Sequence, residues 1–99
     1  MSYEIVGKYI IKLSEARDLH MINMPKGAKV ISVINQREDL AIYAIIKDDD
    51  YIPTVDYIIR QFRIAGTGHP LNLPVSAKFV GTVSFRDGAL ILHVWDCGE

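Results

Sequence analysis

The sequence is short of the residues that brace or activate small proteins by covalent or metal chemistry. One cysteine, Cys97, is present with three histidines and four prolines. A single thiol makes no intramolecular disulfide, and no histidine or carboxylate is arranged around it as a nucleophile's base, so Cys97 reads as an inert thiol of a reducing compartment. An excess of positive charge is missing as well: the formal net charge is -1. Binding to duplex nucleic acid needs clustered Lys and Arg to neutralise phosphates, which argues against that partner. The opening MSYEIVGKYI has no basic region followed by a long apolar run, and no later run approaches membrane-spanning length. The expectation is a cytoplasmic protein without a membrane partner. Helical periodicity, heptads and internal repeats are also absent.

What is present is β-strand patterning in a chain that is 49% hydrophobic. Glu4 to Leu13 alternates, with Ile5, Tyr9, Ile11 and Leu13 on one parity and Lys8 and Lys12 on the other. Ser14 to Asp18 reads as a turn, with one helical turn capped by Ser14 as the alternative. Leu19 to Met24 alternates again and stops at Pro25-Lys26-Gly27, a reversal. Ala28 to Asn35 is β-branched, and the polar Gln36 to Asp39 joins it to Leu40 to Lys47 as a hairpin. Asp48 to Asp50 opens an irregular segment running through Pro53 and Thr54. It lacks the spaced carboxylates, central glycine and distal glutamate of a calcium loop, so no metal is assigned to it.

Asp56 to Ala65 resumes as a strand. Tyr57, Ile59, Gln61, Arg63 and Ala65 share one face, and Ile58, Arg60, Phe62 and Ile64 the other. Gly66 to Ala77 is the longest connection. Lys78 to Phe85 and Ala89 to Trp95 flank Arg86-Asp87-Gly88, whose Asp-Gly supplies positive φ for a tight hairpin. The expected fold is all-β: one domain, residues 1–99, forming a small antiparallel sandwich or open barrel of about seven strands. Ninety-nine residues bury only part of the unfolded surface, so a homo-oligomer is expected, with strand edges paired between subunits.

Candidate chemistry gathers at Arg60 to Leu71, RQFRIAGTGHPL. Gly66-Thr67-Gly68-His69-Pro70 is neither a phosphate-binding loop nor a dinucleotide fingerprint, because the lysine-serine ending and following helix are missing. Its plain reading, given the greater weight, is a structural turn. Its functional reading is an anion nest, in which Thr67, Gly68 and His69 face a phosphate or carboxylate and Arg63 adds a fork of donors. His93, among Ala89, Ile91 and Trp95, reads as a satisfied core or interface residue before a catalyst. His20 is too weakly placed to complete a metal site. Trp95, Tyr43, Tyr51 and Tyr57 have the chemistry to stack a base, although packing is the favoured reading. No histidine is held by a carboxylate and no carboxylates are paired for acid–base work, so the chain is expected not to be an enzyme and to use no cofactor.

On MPKGAKVISV from Met24 to Val33, FRIAGTGHP from Phe62 to Pro70, and FVGTVSFRDGALILHV from Phe79 to Val94, the chain resembles a family of small tailed-phage proteins of unassigned activity. The likeness covers most of the chain after Leu19. The sequence departs from it in the acidic Asp48 to Val55 and in the longer Leu71 to Ala77. The resemblance implies a phage origin, an all-β fold and a shared turn at Gly66 to Pro70, and it carries over no catalytic residue. The leading expectation is a non-enzymatic accessory protein that binds a host protein or sequesters a nucleotide-like host signal. The alternative is a structural module of the virion, with a hydrolase a distant third.

Overall fold

The computed structural model describes residues 3–47 and 56–99. These form seven strands: β1 (Glu4–Ile11), β2 (Leu19–Pro25), β3 (Lys29–Gln36), β4 (Asp39–Lys47), β5 (Tyr57–Gly66), β6 (Lys78–Phe85) and β7 (Leu90–Gly98). They make two antiparallel sheets, ordered β1-β4-β3 and β2-β5-β7-β6. The expected all-β sandwich is what the chain builds. The acidic segment from Asp48 to Val55 lies outside the described residues.

Alternation decides which side chains meet between the sheets. Ile5, Tyr9 and Ile11 pair with Ile46, Ile42 and Leu40, and this parity of the three-stranded sheet faces inward. From the other sheet come Met24, Phe62, Ile64, Val83, Phe85 and Val94. Phe62, Phe85, Ile11, Met24, Leu40, Ile42 and Val94 are the largest fully buried side chains. Each contributes on the order of 1.5–3 kcal/mol by leaving water.

The connections explain the topology. Arg37 and Glu38 both have positive φ (52° and 66°), which makes the β3–β4 link a tight two-residue hairpin turn. Arg86, Asp87 and Gly88, at 52°, 53° and 91°, close the β6–β7 hairpin expected from Asp-Gly. At Pro25-Lys26-Gly27 a turn forms, with the Ala28 amide donating to the Pro25 carbonyl (3.1 Å) and Gly27 at φ 85°. Its strands nevertheless belong to different sheets, so the turn passes the chain across the sandwich. Pro25 is tolerated inside β2 because β2 is an edge strand. Residues Leu13–Glu15 form one 3-10 turn without a side-chain cap, where β1 was expected to continue to Leu13. The Leu13 amide donates to the Asp39 carboxylate (2.9 Å), which draws the chain off the sheet.

Two polar ties brace the sandwich, the first joining β5 to β7 and to the β2–β3 turn, the second joining the two sheets. Arg60, on the inward parity of β5, donates through Nε and Nη2 to the two carboxylate oxygens of Asp96 (3.0 and 2.9 Å) and through Nη1 to the Ala28 carbonyl (2.8 Å). Asp96 also accepts from the Gly98 amide (2.9 Å). At the other end Asn35 donates to the Ser84 carbonyl (2.9 Å), and Glu38 accepts from the Arg86 amide (2.9 Å) and from Asn35 (3.1 Å). These bonds hold the Glu38 carboxyl below the usual carboxylate range, the Arg86 amide being the largest cause.

Candidate functional site on the outer face of the four-stranded sheet

The strand register lays the outward side chains of the larger sheet in rows. One row runs Leu19, Arg63, Trp95 and Phe79 across β2, β5, β7 and β6. The next runs Ala65, His93 and Thr82. Cross-strand neighbours on one face lie close enough to act as a unit. Arg63 thus stands beside the chain's only tryptophan, and its guanidinium has no hydrogen-bond or ion-pair partner among the described residues.

Phe79 and Trp95 pack edge to face, with ring centroids 5.5 Å apart and planes at 63°. Phe79 is 60% exposed, an unusual state for a large ring on a sheet. The His93 ring lies 6.4 Å from that of Trp95. Both imidazole nitrogens are engaged: Nε2 with the Thr67 hydroxyl (2.8 Å) and Nδ1 with the Thr82 hydroxyl (2.9 Å). In the neutral ring one nitrogen donates and the other accepts, which a pair of hydroxyls satisfies in either tautomer. His93 is therefore satisfied, as expected, but on an outer face and not in the core.

The Gly66–His69 turn is closed by the His69 amide donating to the Gly66 carbonyl (3.1 Å), with Gly68 at φ 84°. Positive φ is what the glycine supplies there. The His69 amide is consumed by the turn itself. Gly66 is needed for a different reason, since a Cβ there would meet the His69 Nδ1 at 2.9 Å.

The four residues singled out in the sequence divide. Arg63 and Thr67 reach the outer face, Thr67 through His93. Gly68 sits exposed at the turn's corner. His69 turns to a cleft at the end of the sandwich that it lines with Arg17, Asp18 and Arg86, whereas Arg63 borders a separate depression with Asp18, Pro70 and Leu71. Tyr57 lies on the outer face two rows beyond Gln61, opposite Pro25, and Tyr43 belongs to the other sheet, its hydroxyl donating to Gln36 (3.3 Å). Tyr51 is outside the described residues. His20 pairs with Phe62, away from both other histidines. Among the described residues no three of His, Cys, Asp and Glu gather as a metal site, and no helix is long and apolar enough to cross a membrane.

Residues 3–98 match a family described as a domain of unknown function, DUF7352. The chain belongs to the DUF7352 family. No curated protein and no solved structure matches it. The match spans both sheets and every side chain of the Arg63 and His93 rows, so the face is built wholly within the family domain.

Phe79 and Thr82 escaped the sequence reading. Their separation by three residues puts them on opposite sides of a regular strand, but a bulge between Phe79 and Gly81 returns both to the outer face. The sequence did carry a signal, because glycine inside a strand marks a bulge or a close backbone approach. Gly81 does both: a Cβ there would lie 3.0 Å from Val33 Cγ1 of the opposing sheet.

Proposed function

We propose that this chain is a non-catalytic binding module that holds a small nucleotide-like anion on the outer face of its four-stranded sheet. The observation that carries the reading is the row Arg63, Trp95, Phe79: a guanidinium with no partner among the described residues, beside a half-buried indole and an exposed phenyl ring packed on it. A planar base gains on the order of 1–3 kcal/mol by stacking on such a ring. The guanidinium is the donor suited to a phosphate or carboxylate on the same ligand. Thr67, Thr82 and His93 add polar edges next to the rings, and Gly68 lets the turn carry Thr67 to them.

The same geometry speaks against turnover. A catalytic histidine is oriented by a carboxylate, and here the Thr82 hydroxyl occupies that place. With the resemblance to tailed-phage proteins, the module acts as an accessory protein in the host cytoplasm, sequestering a nucleotide-like host signal. Incubation with nucleoside mono-, di- and cyclic phosphates leaves them intact by chromatography.

Trp95, the only tryptophan, reports the test directly. Titration with a panel of nucleoside phosphates is expected to quench or shift its fluorescence for at least one member. Arg63→Ala weakens that binding at least tenfold, since a charge-assisted hydrogen bond contributes on the order of 1.5–3 kcal/mol. Arg86→Ala, in the cleft with His69, leaves it unchanged. Loss with Arg86→Ala and not with Arg63→Ala would move the ligand to that cleft and end the outer-face reading.

A further inference from the structure

The outer face of the three-stranded sheet is a second surface, and nothing in the ligand reading uses it. Its rows are Val6–Ile45–Lys29, Lys8–Tyr43–Ser32 and Ile10–Ala41–Ile34. Val6 is 58% exposed, Ile10 46% and Ile34 45%, and Ile31, the extra residue of a bulge in β3, is 44% exposed. Four half-exposed aliphatic side chains on one flat sheet exceed the scattered single residues that ordinary surfaces carry.

We infer that this face is where a second copy of the chain docks, making a two-fold dimer packed sheet on sheet. Charge placement is the first support. The outward positions of the central strand β4 between its ends are Ala41, Tyr43 and Ile45, and every charged side chain of the face stands on an edge strand (Glu4, Lys8, Lys29) or at an end of β4 (Asp39, Lys47). An apolar centre inside a polar rim is the anatomy of a protein interface. Long lysines at the rim cover apolar surface with their stems and keep their charge in water.

Area is the second support. Eight residues at about 3.3 Å by three strands at about 4.8 Å give a face of roughly 26 by 14 Å, on the order of 370 Å² in projection. Two such faces total roughly 740 Å² in projection, and the relief of their side chains brings them to the small end of the interface range, which fits a weak, concentration-dependent dimer. The occupant follows from shape. A depression at one end of this face is bordered by Ile45 with Glu4, Lys29 and Lys47, but the Lys8–Tyr43–Ser32 and Ile10–Ala41–Ile34 rows lie outside it, and their flat surface suits a second sheet better than a small ligand, whose sites are concave. A flat, twisted sheet is matched by one of the same twist, which a two-fold axis supplies automatically. A net charge of -1 per chain opposes the approach only weakly. The dimer leaves the Arg63 and Trp95 faces outward on both subunits.

Sedimentation of the purified chain across micromolar to submillimolar concentration tests this. The expected result is a monomer–dimer equilibrium that Ile10→Lys and Ile34→Lys, flanking Ala41, each weaken at least tenfold. Met21→Lys, on the outer face of the other sheet, leaves it unchanged. If a lysine variant fails to fold, intermolecular NOEs between the Ile10 and Ile34 methyls in a mixed-label sample of the unaltered chain decide the matter: their presence supports the face and their absence removes it. A monomer at every concentration, or an association that survives both isoleucine changes, or one broken by Met21→Lys, overturns the inference.

Discussion

Arg60 and Arg63 are three residues apart on one strand and do opposite things. Arg60 shares the parity of Phe62 and Ile64, so its charge enters the core and needs the Asp96 carboxylate and the Ala28 carbonyl. Removing one partner of a buried pair strands the other charge, so Arg60→Ala is expected to lower stability by about 3–5 kcal/mol in urea unfolding. Arg63→Ala, facing solvent, is expected to change it by less than about 0.5 kcal/mol. The sequence told these arginines apart by parity alone. It did not name Asp96, because pairing across β5 and β7 depends on a bulge at Cys97 that no alternation pattern displays. Cys97 was read from the sequence as an inert thiol. Burial pushes its pKa up, and the Arg63 backbone amide pulls the other way with less effect. The thiolate is the nucleophile, so iodoacetamide should modify the folded protein at neutral pH more slowly than a free cysteine, with the rate recovering in urea.

At the scale of the element, the strands and both tight hairpins were legible because alternation and turn chemistry are local. The passage of Pro25-Lys26-Gly27 from one sheet to the other was not, since a proline–glycine turn looks the same within a sheet and between sheets. The bulge at Val80 was signalled only by Gly81, and it is what sets Phe79 beside Trp95. Gly81→Ala is expected to destabilise by on the order of 1–3 kcal/mol, as Val33 must yield to the added methyl. In a double-mutant cycle Val33→Ala should recover part of that loss, a coupling that independent sites lack. The tie between the β3–β4 and β6–β7 turns depends on ionised Glu38, whose pKa is lowered on folding. Its contribution is full above the unfolded carboxylate value and is lost as pH falls through the lowered one, so Glu38→Gln should flatten the acid limb of the stability profile.

As a whole molecule the protein is a thin sandwich whose core is closed by strand parity and whose two outer faces differ in kind. The three-stranded sheet presents aliphatic side chains inside a charged rim, and the four-stranded sheet presents, besides the exposed Met21 and Ile59, rings, hydroxyls, an imidazole and a guanidinium. The fold class was legible because period-two patterning ran through nearly the whole chain. The candidate site was legible in half: Arg63 and the turn were found, but the face they join was hidden until β6 and β7 were in register. The central claim is that this face binds a nucleotide-like anion, and amide shift mapping by NMR tests it most directly. On addition of nucleoside phosphates the largest shifts should fall at Arg63, Thr67, Thr82 and His93 and at the Trp95 indole. Shifts concentrated at Arg17, His69 and Arg86, or none with any member of the panel, would contradict it.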